Sequence, residues 1–92
     1  MSKIINFKNI ASLRKKFKQK KIVMRHGVFD LLHLGHIVHF EEAKKMGDIL
    51  IVSVTSDKFV NKGYGRPYFN ISDRMKSLCA LNFIDYVIES DY

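Results

Sequence analysis

With 92 residues, 47% of them hydrophobic, the chain can bury one small core and not two. Its single cysteine rules out a disulfide framework, and no apolar run approaches the ~20 residues that span a bilayer. Met1 is followed by polar and charged residues instead of a secretion signal, so a cytoplasmic protein without a membrane span is expected. The net charge of +7 raises the question of nucleic acid, but it is unevenly spread. Seven of the sixteen Lys and Arg residues (Arg14, Lys15, Lys16, Lys18, Lys20, Lys21 and Arg25) crowd into one stretch, and the remainder is near balance. Such a run is first of all a solvated helix face. Steering of anionic nucleotides and contact with RNA or acidic lipid are the alternatives.

In chain order, residues 7–20 carry Ile10, Leu13 and Phe17 on one side and cations elsewhere, which predicts an amphipathic basic helix within an N-terminal segment 1–20. The β-branched run 21–26 predicts a strand, ended by Gly27. A helix is expected over 35–46, with Gly47 as its C′ residue. Residues 49–54 are almost continuously apolar, as a strand buried on both faces of a parallel sheet should be. Strand, helix and strand make a βαβ unit.

The ten residues between the first strand and the next helix carry the chemistry: Gly27-Val28-Phe29-Asp30-Leu31-Leu32-His33-Leu34-Gly35-His36. A tight turn entering a helix presents unpaired N–H groups beyond the strand's carboxyl end, and such an end binds anions. His33 and His36 stand at its mouth with Gly35 between them leaving room for a phosphate, and they serve as mobile donors or cations. A single histidine near a helix start is ordinarily a capping or solvated residue, and His26 and His39 read that way. A zinc site is disfavoured by one cysteine and no His-Glu-x-x-His run.

Further along, Thr55-Ser56-Asp57 closes the second strand, which places Asp57 near the crevice of His33. Residues 62–67 combine two glycines, a proline, Lys62 and Arg66, the composition of a mobile loop able to fold over phosphates or of a plain surface loop. Ser72 is the expected cap of a helix over 73–81 with Arg74 on its first turn, and Cys79 reads as a small buried residue. A strand over 84–88 completes the pattern.

The ten-residue stretch resembles the signature of the cytidylyltransferase-like nucleotidyltransferases, whose His-x-Gly-His is shared with class I aminoacyl-tRNA synthetases. The similarity extends through Lys44-Lys45-Met46-Gly47-Asp48-Ile49-Leu50-Ile51-Val52 and Thr55-Ser56-Asp57 to Ile84-Asp85-Tyr86-Val87, about residues 21–92. It implies an α/β, Rossmann-like parallel sheet with helices on both faces, here truncated. The family transfers a nucleotidyl group from ATP or CTP to a phosphorylated sugar or alcohol with release of pyrophosphate. By the same resemblance, His33, His36 and Lys62 are the catalytic residues, with Arg66 a competitor to Lys62 as charge clamp. Gly27, Val28, Phe29, Asp30, Gly35, Asp57, Arg66 and Arg74 would bind nucleotide or phosphate. Magnesium would accompany the triphosphate, with no protein side chain assigned to it.

Two departures qualify the resemblance. Asn82 stands where cytidylyltransferases often have arginine, and the loop 61–70 resembles the sugar-phosphate adenylyltransferases of the ADP-heptose type, which favours a sugar phosphate and puts ATP ahead of CTP. The family's second signature, a Ser/Thr-rich turn before a later helix, has no counterpart, so a fragment or a half-domain needing a partner is expected. Weak nucleotide binding, little turnover and a homodimer through an open sheet edge would follow. A phosphate-binding module without turnover is the alternative. An RNA-binding fragment resting on the basic helix is a third reading, but nucleic acid is not the expected partner because no further basic and aromatic surface accompanies that helix.

Overall fold

The computed structural model describes residues 3–60 and 65–91. Four parallel strands form one sheet in the order β1-β4-β3-β2: β1 (Ile4–Ile5), β2 (Ile22–Gly27), β3 (Ile49–Thr55) and β4 (Tyr86–Ser90). Three helices connect them, α1 (Ile10–Lys16), α2 (Leu34–Lys45) and α3 (Ile71–Cys79). From β2 through β3 to β4 the chain steps one way across the sheet, whereas from β1 to β2 it steps the other way. Right-handed crossovers therefore put α2 and α3 on one face and α1 on the opposite one. The two cores follow this division. Phe40, Ala43, Met75 and Leu78 pack on Val23, Leu50, Val52, Val54 and Val87, while Leu13 packs on Ile51 and Ile88. The Rossmann-like α/β architecture with helices on both faces is thus present.

Several boundaries differ from the sequence reading. The expected helix over 7–20 is a 3-10 turn at Phe7–Asn9 followed by only the seven residues of α1. It ends at Phe17, which leaves helical geometry (φ −109°, ψ 34°) and sets its ring 6.3 Å from that of Tyr86 on the sheet. β1 was not foreseen, because two residues carry too little periodicity to register. It pairs Ile4 with Val87 and Ile5 with Ile88, so the β4 edge expected to lie open is occupied there. α3 starts two residues before the expected helix: Asn70, not Ser72, is the cap, its Oδ1 accepting the N–H of Asp73 at 2.9 Å. Gly47 does follow α2, but not for a left-handed φ. A Cβ there would lie 2.9 Å from the carbonyl oxygen of Lys21 and 2.7 Å from Val23, so only glycine lets the helix end pass this close to β2.

The last strand begins at Tyr86 instead of residue 84. Ile84 is fully buried in the core, and the carboxylate of Asp85 accepts the N–H of Leu50 at 2.8 Å and the Lys44 ammonium at 2.7 Å. A side chain here takes the place of a ladder rung and joins α2, β3 and β4. Asp85→Ala should leave the buried Leu50 N–H without its acceptor and lower stability by about 1–3 kcal/mol, read as a lower urea midpoint with unchanged slope. Lys44→Met removes a partly exposed ion pair and the ammonium's hydrogen bond to Asp48 O at 2.6 Å, and should cost about 1 kcal/mol.

Candidate nucleotide site

β2 delivers Gly27 to the carboxyl end of the sheet, where Phe29 takes a left-handed conformation (φ 53°) that a bulky residue seldom adopts. Packing holds it there. Its ring meets Phe40 edge-on at 5.2 Å and His36 at 5.6 Å between centroids. Strain fixed in this way at a strand-to-helix turn is a mark of a functional turn.

His33 and His36 come together as a reciprocal pair at the first turn of α2. His33 is the N-cap, and its Nδ1 accepts the N–H of Gly35 at 3.0 Å while the Nδ1 of His36 accepts the N–H of His33 at 3.3 Å. The ring centroids are 4.1 Å apart. With Nδ1 of each ring engaged in the cap, Nε2 is the ring nitrogen that remains as a donor toward a ligand. The capping bonds hold both rings in place at the start of α2. Gly35 is required for this: a Cβ would lie 2.7 Å from the His33 ring.

Asp30 and Arg74 hold the turn from behind. Asp30 is buried and accepts the N–H groups of Tyr68 and Phe69 at 2.7 and 2.9 Å. Burial alone would raise its carboxyl, but those two donors, with the charges of Arg66 and Arg74, outweigh it and hold the pKa below the ordinary value. Arg74 is 1% exposed. Its Nε donates to Phe69 O at 2.9 Å, its Nη1 to Val28 O at 2.9 Å and Thr55 O at 2.7 Å, and its Nη2 to the carboxylate of Asp57.

Several of the residues expected at the nucleotide make contacts within the protein. Arg74 faces inward with its nitrogens engaged on protein acceptors, and Asp30 and Asp57 spend carboxylate oxygens on the same framework. Arg66 lies 3.3 Å from Asp30 without hydrogen-bond geometry and stacks its guanidinium 4.2 Å over the Tyr68 ring. Val28 contributes its carbonyl. Lys62 falls outside the described residues. His26, read as solvated or capping, instead meets Ser53 Oγ at 3.0 Å and Thr55 Oγ1 at 3.4 Å through its two ring nitrogens. Among the described residues no three His, Cys, Asp or Glu side chains converge as a metal site would need.

Residues 24–92 match the cytidylyltransferase-like family. The chain belongs to that family. Curated relatives include the bifunctional protein HldE of Helicobacter hepaticus, 40% identical over 89 residues that cover 95% of this chain and 18% of the relative. The HldE of Haemophilus influenzae is 47% identical over 75 residues, covering 79% and 16%. The chain thus spans under a fifth of the length of these relatives. Among solved structures, the lipopolysaccharide core biosynthesis protein from Thermoplasma volcanium superposes with a TM-score of 0.72 at 38% identity, covering 78% of this chain and 59% of that one. The matched region begins within β2 and takes in every residue of the turn described above.

Two outcomes test this framework. Arg74→Met should leave the carbonyls of Val28, Thr55 and Phe69 without their donor and cost about 3 kcal/mol in unfolding free energy. Because the Asp30 pKa is lowered in the folded state, its stabilisation is complete above the ordinary carboxyl value of about 4 and is lost as pH falls through the folded value. Asp30→Asn removes that contribution, so the stabilities of wild type and variant should converge as pH falls below about 4 in urea titrations.

Proposed function

We propose that this chain binds a nucleoside triphosphate at the turn 27–36 and supplies the phosphate-handling part of a nucleotidyltransferase. The reaction is transfer of AMP, or CMP, from ATP or CTP to a phosphorylated sugar or alcohol. The observation that carries the reading is the reciprocal His33 and His36 pair at the start of α2, two imidazoles held with centroids 4.1 Å apart against a helix N-terminus. Family membership supports it.

In this reaction a phosphate oxygen of the acceptor attacks the α-phosphorus. The bond from the α-phosphorus to the oxygen bridging the β-phosphate breaks, and pyrophosphate leaves with the electron pair. No proton needs to be taken from the nucleophile, since the acceptor phosphate is already ionised. Catalysis then reduces to alignment and to neutralising charge on the bridging and non-bridging oxygens. His33 and His36 donate from Nε2 to those oxygens, and the first-turn amides of α2 add their partial positive charge. Lys62 is proposed as the cation that closes over the leaving pyrophosphate. Magnesium arrives bound to the triphosphate. The resemblance of the loop 61–70 to sugar-phosphate adenylyltransferases favours ATP and a sugar phosphate.

Calorimetric titration with magnesium ATP tests the site. His33→Asn retains a side-chain oxygen able to cap α2 while removing the imidazole. It should weaken ATP binding roughly tenfold or more, the worth of a charge-assisted donor, with little change in thermal midpoint. His36→Ala should weaken ATP binding as much, but it also removes the acceptor of the His33 N–H and the ring that meets Phe29, so its thermal midpoint should fall as well. Binding by His33→Asn equal to wild type would overturn the assignment.

A further inference from the structure

Charge in this chain is divided between two regions. Residues 1–29 contain nine Lys and Arg and no Asp or Glu, whereas residues 30–92 contain seven and nine respectively. The cations concentrate on α1 and the turn after it: Arg14, Lys15, Lys16, Lys18, Lys20 and Lys21 are all exposed, and none forms an ion pair with a described carboxylate. Asp48, at the same end of the sheet, spends an oxygen on the backbone N–H of Lys21.

The patch sits at the wrong end to serve the nucleotide turn. α1 runs back to the amino end of β2, and the turn leaves its carboxyl end six residues later, roughly 17 Å away at strand rise. That is about twice the screening length of 8 Å at physiological salt, too far for exposed cations to hold a phosphate in the turn.

Composition and shape narrow its chemistry. Seven of the nine cations are lysine, a strongly hydrated point charge, where planar bidentate phosphate recognition would favour arginine. Beside the cations, between α1 and β1, a cavity of about 530 Å³ is lined by apolar Ile4, Ile5, Leu13 and Tyr86 and by polar Asn6, Asn9, Ser12 and Lys16. Lysine charge beside a recess with both apolar and polar walls matches the headgroup layer of an anionic bilayer, where charge and apolar surface meet, better than it matches nucleic acid. We infer that the α1 face docks on the surface of an anionic lipid bilayer, with the nucleotide turn held at the far pole, facing the aqueous side.

Cosedimentation of the 92-residue chain with vesicles tests this. Vesicles of phosphatidylglycerol and phosphatidylcholine should bind the protein at low salt and release it at high salt, and vesicles of phosphatidylcholine alone should not bind it. Each lysine near such a surface is worth roughly fivefold in partition, so Lys15→Glu with Lys18→Glu and Lys20→Glu should lose at least about a hundredfold. The corresponding Lys→Gln triple, whose fold is checked by circular dichroism, should lose at least about tenfold. Saturating ATP should leave vesicle binding unchanged. Equal binding to neutral vesicles, no binding to anionic ones, displacement by ATP, or tighter binding of single-stranded RNA at the same salt would each overturn the inference.

Discussion

Everything at the carboxyl end of the sheet hangs on one buried guanidinium. Arg74 reaches from the first turn of α3 to three backbone carbonyls, Val28 in the turn after β2, Thr55 at the end of β3 and Phe69 just before its own helix. None of these carbonyls lies in a position where a ladder could satisfy it, because the three segments have already left the sheet or are about to. A lysine could not replace it, since an ammonium on a flexible stem has neither the fork nor the span to meet acceptors in three directions. Asp57 balances the charge from the rim, and Asp30 binds the other side of the 65–70 segment through two amides. Two charged residues that a chemist would first assign to ligand work are here the frame that gives the turn its shape.

With the frame in place, the histidines acquire definite chemistry. An imidazole has two nitrogens, and the capping role consumes one in each ring. The helix N-terminus thereby orients both rings through the same bonds that stabilise α2. Structure and function are not competing readings of His33 and His36, since the cap is what turns a mobile ring into a fixed donor. The cost is local: a tight approach of Gly35 to the His33 ring, and a left-handed Phe29 held by aromatic packing on Phe40.

Much of this was legible in the sequence. The unbroken apolar run of β3 announced a central parallel strand, and the spacing of His33, Gly35 and His36 after a strand announced a tight turn that brings the two rings together at a helix start. What stayed hidden had physical causes. A two-residue edge strand leaves no period to detect, so β1 passed unnoticed. Asn70 and Ser72 are both good caps, and the choice between them depends on Asp73 offering its N–H to the former. Arg74 looked like a polar first-turn residue, yet it lies four residues before Leu78, on the same helical face. That spacing was a usable signal: a cation on the buried face of a helix must find internal acceptors. Lys62 and the tip of its loop fall outside the described residues, so the sequence pattern remains the whole argument for a charge clamp there.

The division of charge follows from topology as much as from composition. In a parallel sheet every strand ends at the same pole, so turns that cradle ligands collect there and the opposite pole is left to the ends of helices and the entries of strands. The basic segment falls at that second pole because α1 crosses back over the sheet to start β2, and its one inward side, Ile10, Leu13 and Phe17, is used up on Ile51 and Ile88. The remaining positions are free to carry lysine without disturbing packing. The cations also sit about two screening lengths from the turn after β2, so their charge is largely screened from the histidine pair. A small domain can in this way keep the exposed charge of one pole apart from the turn that buried Arg74 frames at the other.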